Sequence, residues 1–136
     1  MAYFIKESDQ DSADLIHDFN KNLEDHKISF RLPVSNNDHS RTDDFINERS
    51  FILTENKTVV RAGYSLKSQW FKVNDTLLQI GYYYRPVSAG LFNKKYNICG
   101  VLLVNDAQKR YPNTFSLGMG GTSEALPKLL KGLNWN

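Results

Sequence analysis

The spacing of hydrophobic residues changes along the chain from a helical period to a strand period and back. Residues 3–5 are a short β-prone start, and the polar cluster Ser8–Asp11 supplies side chains that cap a helix N-terminus. Apolar residues then recur at spacings of one, three and four, which predicts a helix to about residue 25 with one apolar face: Leu15, Ile16, Phe19 and Leu23. A second, short helix is predicted over Thr42–Arg49.

From Phe51 the hydrophobic period becomes two, which is typical of strands with one buried face. A short strand over Phe51–Thr54 is followed by a turn at Glu55–Lys57. The next strand alternates apolar with polar residues, and its apolar positions are Val60, Ala62, Tyr64 and Leu66. A second turn at Asn74–Asp75 leads to a strand over Thr76–Val87. These segments predict an antiparallel meander of three strands.

The C-terminal third returns to the helical period. A helix is predicted over Ile98–Arg110, ending before Pro112, then a short strand over Thr114–Met119 and a last helix over Leu126–Leu133. The order is therefore β α α β β β α β α in one domain spanning residues 1–136. We expect an α/β (α+β) fold with a mixed, mostly antiparallel sheet flanked by helices.

The charge balance favours a small anionic ligand over a nucleic acid. Seventeen Lys and Arg against fifteen Asp and Glu give a net charge of +2, too small for a nucleic-acid surface. The basic residues are concentrated in the C-terminal third: Lys94, Lys95, Lys109, Arg110, Lys128 and Lys131. This concentration predicts a local anion site.

The single cysteine, Cys99, excludes an intrachain disulfide and a multi-cysteine zinc site. The three histidines are scattered without partners for a hydrolase triad, and we expect no metal. The sequence contains no apolar run of 18 residues and no signal-peptide pattern at its start. We therefore expect a cytoplasmic protein that does not associate with membranes.

A basic segment before the third predicted helix carries a family resemblance. Lys94, Asn97 and Cys99 fit a frame of basic residue, two residues, small residue, one residue, small residue, followed by a leucine-rich helix. With the order of elements from Phe51 to Trp135, this segment resembles the pyrophosphate loop of the GNAT (Gcn5-related N-acetyltransferase) family. The resemblance implies that the fourth and fifth strands lie parallel and splay apart around the pantetheine arm of acetyl-CoA.

The resemblance also implies which residues bind the acyl-CoA. The pyrophosphate would lie against main-chain N–H groups of the loop, aided by the lysines: Lys94, Lys95, Tyr96, Asn97, Ile98 and Cys99. Asn97 replaces a glycine, and Asn tolerates a positive φ better than most residues. The thioester carbonyl would be held by a backbone N–H around Val87 or Ser88.

In the family a tyrosine donates the proton to the leaving thiolate, and by the resemblance its position falls on Leu130 in this sequence. A tyrosine of the meander can replace it: Tyr64, Tyr82, Tyr83 or Tyr84. Of these we take Tyr82 and Tyr84 as the catalytic candidates. Glu55 or Asp75 is a candidate for removing the amine proton.

The implied activity is transfer of an acetyl group from acetyl-CoA to a small or peptidic amine. The alternative is a non-catalytic half or scaffold, because the chain ends before the family's last one or two strands. That ending would leave the strand over Thr114–Met119 as an exposed edge, completed by a homodimer or by a C-terminal domain. The acceptor is left open among a lysine, an N-terminal amine, an aminosugar and a polyamine.

Overall fold

The computed structural model describes residues 2–34, 46–117 and 125–134. Five strands and three α-helices follow one another in these ranges, with short 3₁₀ turns at Gln10–Ser12, Ala89–Leu91 and Lys94–Tyr96. The elements are β1 (Tyr3–Glu7), α1 (Ala13–Asp25), β2 (Ile46–Glu55), β3 (Val59–Val73), β4 (Thr76–Ser88), α2 (Ile98–Arg110), β5 (Thr114–Phe115) and α3 (Ala125–Gly132). No helix in the described part of the chain is long and apolar enough to cross a membrane.

The first helix forms where its polar cap and apolar face predict it. The Asp9 carboxylate accepts hydrogen bonds from the Ser12 amide at 3.0 Å and the Ser12 hydroxyl at 2.7 Å, which starts the turn leading into α1. The hydrogen bonds from Ser12, aided by Lys6, hold the pKa of Asp9 below its usual range. The predicted apolar face is confirmed, since Ile16, Phe19 and Leu23 are buried.

The strands form a single sheet in the order β1-β2-β3-β4-β5. Neighbouring strands are antiparallel except β4 and β5, which are parallel. The predicted turns join the meander. Asn56 and Lys57 have positive φ in the three-residue connection between β2 and β3, and Asn74 and Asp75 have positive φ in a two-residue hairpin turn, as type I′ requires. The mixed, mostly antiparallel sheet is confirmed.

The predicted helix over Thr42–Arg49 is wrong for its second half. Residues 46–49 belong to β2, where Ile46 pairs with Gln69 and Arg49 with Leu66, and residues 42–45 lie outside the described ranges. The long β3 strand supplies backbone partners for this segment, and such distant pairing outweighs a local helical pattern. The last strand is also shorter than predicted, since its ladder ends at Phe115, and residues 118 and 119 are again outside the described ranges.

The two faces of the sheet are covered by different helices. At Gly63 the Leu32 side chain lies so close that an added Cβ would come within 2.7 Å of it, and Asn20 of α1 bonds both main-chain groups of Leu32. The next residue, Tyr64, points the other way and donates to Asp106 of α2 at 2.6 Å. Helix α1 and the chain after it therefore cover one face, and α2 covers the other.

A β-bulge interrupts β4 near its end. Gly63 pairs with Val87 and Ser65 with Tyr84, so three steps along β4 match two steps along β3. Arg85 lies in the bulge with φ 52°, a left-handed conformation that is uncommon for a non-glycine residue. The bulge changes which main-chain groups of β4 face the neighbouring strands.

Candidate functional site

The parallel pair of β4 and β5 separates soon after it begins. Only Gly81↔Thr114 and Tyr82↔Phe115 are in register, although β4 continues to Ser88. Ser116 has left the ladder, and its hydroxyl donates to the Tyr83 carbonyl at 2.8 Å. Beyond this point the two strands are unpaired within the described residues, and the end of β4 has an open side.

A cavity of about 250 Å³ lies beside the open side of β4. Its walls come from the end of β4, the following 3₁₀ turn, the first turns of α2, and α3. The lining residues are mostly apolar: Tyr83, Pro86, Val87, Ser88, Gly90, Leu91, Asn97, Gly100, Leu103 and Leu129. A cavity of this kind suits an apolar arm with few polar groups.

The bulge turns the main chain of Ser88 toward the cavity side of β4. Before the bulge, the Gly81 amide donates to Asn113 and the Tyr83 carbonyl accepts from Ser116, so odd-numbered residues face β5. After the extra residue, Val87 lies opposite Gly63, and its main-chain groups face β3 as those of Tyr84 do opposite Ser65. Since main-chain groups alternate along a strand, those of Val87 face β3 and the Ser88 amide faces away from it.

Helix α2 begins next to the same cavity. Asn97 precedes its first residue, has φ −57° and makes no capping hydrogen bond with its side chain among the described residues. Its helical conformation means that tolerance of a positive φ is not what allows Asn at this position. Lys94 and Lys95 are exposed and come directly before the helix in the chain, so two cationic residues precede the positive end of the helix dipole.

The side chains of Tyr96 and Cys99 face the sheet and do not line the cavity. The centre of the Tyr96 ring lies 4.4 Å from the Arg61 guanidinium carbon and 5.3 Å from the Lys95 ammonium nitrogen. Cys99 is fully buried, and burial raises the pKa of its thiol. Ile98 is half-exposed and also absent from the cavity lining. Of these three residues only Ile98 and Cys99 can offer a main-chain N–H to an anion, because the Tyr96 amide donates to the Asn93 carbonyl at 3.0 Å.

The three consecutive tyrosines of β4 divide between its two faces. Tyr83 lines the cavity and packs against Tyr64 with ring centroids 5.1 Å apart. Tyr82 and Tyr84 stack on each other at 5.0 Å on the opposite face, and Phe115 stacks on Tyr82 at 5.0 Å. The Tyr82 hydroxyl also donates to the Leu117 carbonyl at 3.3 Å. Neither predicted catalytic tyrosine lines the cavity, whereas their neighbour does.

The sequence predicted three residues of the cavity, named Tyr83 only as one of four possible tyrosines, and missed six. The predicted Val87, Ser88 and Asn97 are there, and Lys94 and Lys95 are near the start of the same helix. The missed residues are Pro86, Gly90, Leu91, Gly100, Leu103 and Leu129. Alternation along β4 would have identified Tyr83, and a glycine in the first helical turn was a signal for Gly100.

Leu130, at the position where the family has a tyrosine, is buried and does not line the cavity. Leu130 is buried in the core at 2% exposure, and its neighbour Leu129 is the residue of α3 that reaches the cavity. An added Cβ on Gly100 would come within 3.3 Å of the Leu129 side chain, so the two helices approach closely here. Within residues 2–34, 46–117 and 125–134, no cluster of three or more His, Cys, Asp or Glu side chains is arranged to hold a metal ion.

No protein-family model and no curated protein matches the sequence, but solved structures do. An aminoglycoside acetyltransferase from an uncultured soil metagenomic sample, in complex with sisomicin, has a TM-score of 0.62 at 13% identity, covering 98% of this chain and 88% of that one. A predicted acetyltransferase from Clostridium acetobutylicum, with acetyl-CoA, has a TM-score of 0.52 at 14% identity, covering 99% and 90%.

A third similar structure is Saccharomyces cerevisiae N-myristoyltransferase with bound myristoyl-CoA. Its TM-score is 0.62 at 15% identity, and the match covers 97% of this chain and 36% of that chain. At such identities the likeness extends to the fold alone. Together with the parallel β4 and β5 that separate beside α2, these matches show that the chain has the GNAT fold.

Proposed function

We propose that this protein is an acyl-CoA-dependent N-acyltransferase that moves an acetyl group from acetyl-CoA to an amine. The observation that supports it best is the cavity between the unpaired end of β4 and the first turns of α2. An apolar channel that ends at a helix N-terminus matches the shape and charge of a pantetheine arm joined to a pyrophosphate.

The pyrophosphate would lie at the start of α2. Main-chain N–H groups of the first helical turn and the helix dipole favour an anion there, and Lys94 and Lys95 add positive charge without needing a fixed geometry. Ile98 and Cys99 would contribute through their main-chain N–H groups, whereas the Tyr96 amide donates to the Asn93 carbonyl and would hold the turn. The pantetheine arm would occupy the cavity between Val87 and Leu103.

The transfer itself needs three groups around the thioester. The neutral amine attacks the carbonyl carbon, the carbon–sulfur bond breaks, the thiolate takes a proton and the nitrogen loses one. We assign the carbonyl oxygen to the Ser88 amide, because the bulge directs that N–H toward the cavity side of β4. The amine would approach from the face of β4 that carries Tyr82 and Tyr84.

The proton donor is proposed among the tyrosines of β4. Tyr83 is a candidate because it lines the wall of the cavity, although burial raises the pKa of its phenol well above the usual range and so makes it a weaker acid. Tyr82 and Tyr84 would instead act from the acceptor side. Tyr82→Phe, Tyr83→Phe and Tyr84→Phe separate these cases: loss of kcat with KM retained, in one variant only, identifies the donor.

The first test is calorimetric titration of acetyl-CoA into the wild type and Lys94→Ala/Lys95→Ala. A matched control is Lys21→Ala/Lys109→Ala, which removes the same charge from exposed helical positions elsewhere. We expect saturable binding that only the first double variant weakens, by about tenfold for two phosphate contacts. Equal weakening in both variants would mean a general charge effect without a pyrophosphate site at this loop.

The second candidate is a non-catalytic GNAT-like module, and the buried Leu130 at the expected tyrosine position favours it. A thiol-release assay with a panel of amines separates the two functions. Binding of acetyl-CoA without turnover on lysine peptides, aminosugars or polyamines would support the module. Release of CoA that depends on an amine would support the enzyme.

A further inference from the structure

Arg61 connects the sheet to the segment that precedes α2. It lies at an irregularity of β3, where Leu53 pairs with Ala62 and Thr54 with Val60, so that Arg61 is the extra residue. Its guanidinium carbon lies 4.4 Å from the centre of the Tyr96 ring. Its Nε lies 2.9 Å from Oε2 of Glu55, which orients the guanidinium from its other side.

This contact is shielded from solvent, which makes it stronger than a surface pair. Tyr96 is 6% exposed, and the side chains of Arg61 and Glu55 are 23% and 15% exposed. Cation–π and ion-pair attractions both increase when water is excluded. Lys95 lies on the Tyr96 ring as well, at 5.3 Å, so that two cations hold one aromatic ring.

Tyr96 is also connected to the start of α2 through the main chain. Its amide donates to the Asn93 carbonyl at 3.0 Å, and the Asn97 amide donates to the Lys94 carbonyl at 3.2 Å. A displacement of the Tyr96 ring would therefore move the turn and the first N–H groups of the helix together. Those N–H groups are the ones assigned above to the pyrophosphate.

We propose that Arg61, oriented by Glu55, is a positioning residue for the pyrophosphate site. It holds Tyr96 so that the N–H groups at the start of α2 face the phosphates, and it does so without touching the ligand. This inference rests on the proposed function. It predicts that affinity for the nucleotide part of CoA depends on Arg61, while affinity for the pantetheine arm does not.

The chain offers a matched control for the chemistry of Arg61. Arg110 at the other end of α2 lies over the Phe51 ring at 4.0 Å and bonds a carboxylate, Asp106, at 2.8 Å. Substituting either arginine removes one guanidinium, one aromatic contact and one ion pair. Only Arg61 lies next to the proposed pyrophosphate site.

The experiment measures Kd for CoA by calorimetry and for pantetheine by ligand-observed NMR, in folded samples checked by circular dichroism. The variants are Arg61→Met, Arg61→Lys, Glu55→Gln and Arg110→Met. We expect Arg61→Met to weaken CoA about tenfold and to leave pantetheine unchanged, by loss of a shielded cation–π contact. Arg61→Lys should recover part of the loss, and Glu55→Gln should reproduce part of it if Arg61→Met does not fold.

Each outcome supports or overturns the inference. Equal changes in CoA affinity for Arg61→Met and Arg110→Met would overturn it, because the effect would then be general destabilisation. Parallel loss of CoA and pantetheine would overturn it as well, since the cavity itself would be disturbed. If the wild type binds pantetheine and CoA and Arg61 variants bind both normally, the proposed function stands and the positioning role fails. If the wild type binds neither ligand, both fail.

Discussion

At its N-terminal end α2 is attached to the sheet through Arg61 stacked on Tyr96, and at its C-terminal end through Arg110 stacked on Phe51. Each guanidinium also bonds a carboxylate, Glu55 in the first case and Asp106 in the second. The same set of side-chain types therefore holds both ends of one helix, although the two ends differ in what surrounds them.

At the C-terminal end of α2 the polar side chains are paired with one another within the fold. Oδ2 of Asp106 accepts from the Tyr64 hydroxyl at 2.6 Å and from Arg110 at 2.8 Å, and Tyr64 is completely buried. At the N-terminal end the ring contact lies on the sheet side of a helix start whose other side borders the cavity. A helix end with its polar groups paired in the fold contributes stability, whereas unpaired N–H groups beside a cavity are available to a ligand.

Filling the cavity at the N-terminal end of α2 should have the largest effect, and the effect is on CoA affinity. Gly100→Leu places a side chain between α2 and Leu129, where even a Cβ is within 3.3 Å. We expect CoA affinity to fall by more than about 100-fold because the pantetheine arm loses its space. Gly100→Ala is the control, and calorimetry should show it binding nearly as well as the wild type. Normal binding by the leucine variant would place the arm elsewhere.

Removing the Asp106 hydrogen bonds at the C-terminal end of α2 should instead lower the free energy of unfolding. Asp106→Ala leaves the buried Tyr64 hydroxyl without its acceptor and Arg110 without its partner, so we expect a loss of about 2 kcal/mol in the free energy of unfolding. Urea unfolding measures it. In the double variant Tyr64→Phe/Asp106→Ala the loss should be smaller than the sum of the single losses. A large change in CoA affinity for Asp106→Ala would contradict the separation of the two ends.

The buried tyrosines give a pH test of both regions. Burial raises the pKa of Tyr64 and Tyr83, and the neighbouring Asp106 raises that of Tyr64 further. The folded pKa exceeds the unfolded value, so this stability is complete below about pH 10 and is lost as the pH rises above it. We expect up to about 1.4 kcal/mol per pH unit from each phenol. Urea unfolding from pH 9 to 11.5 should show a shallower decline in Tyr64→Phe and in Tyr83→Phe, and unchanged slopes would be inconsistent with burial.

Salt should have a smaller effect, which is confined to CoA binding at the N-terminal end of α2. Exposed Lys94 and Lys95 attract the phosphates through solvent, so raising the ionic strength from 50 to 500 mM should weaken CoA binding about threefold. Lys94→Ala/Lys95→Ala should lose most of this dependence. Calorimetry at several salt concentrations measures it, and an equal salt slope in the double variant would exclude these lysines.

Local patterns along the sequence predicted a large part of the fold. The apolar face of α1, the two hairpin turns and helix α2 follow from side-chain periodicity and turn chemistry, which act within a few residues. The segment 46–49 did not follow, because its backbone partners lie about 20 residues away in β3. The site was predicted where a local motif carried it, at the start of α2, and incompletely where residues from separate elements meet.

By itself the sequence determined most of the elements, the basic segment at Lys94 and Lys95, and the resemblance that suggested a CoA site. Only the tertiary structure decided that Tyr83, and neither Tyr82 nor Tyr84, lines the cavity, that the bulge turns the Ser88 amide toward it, and that Arg61 reaches Tyr96. The physical reason is that strand register, a single extra residue and contacts across the sheet are set by pairing between distant segments. A pattern read along one segment contains no information about its distant partner.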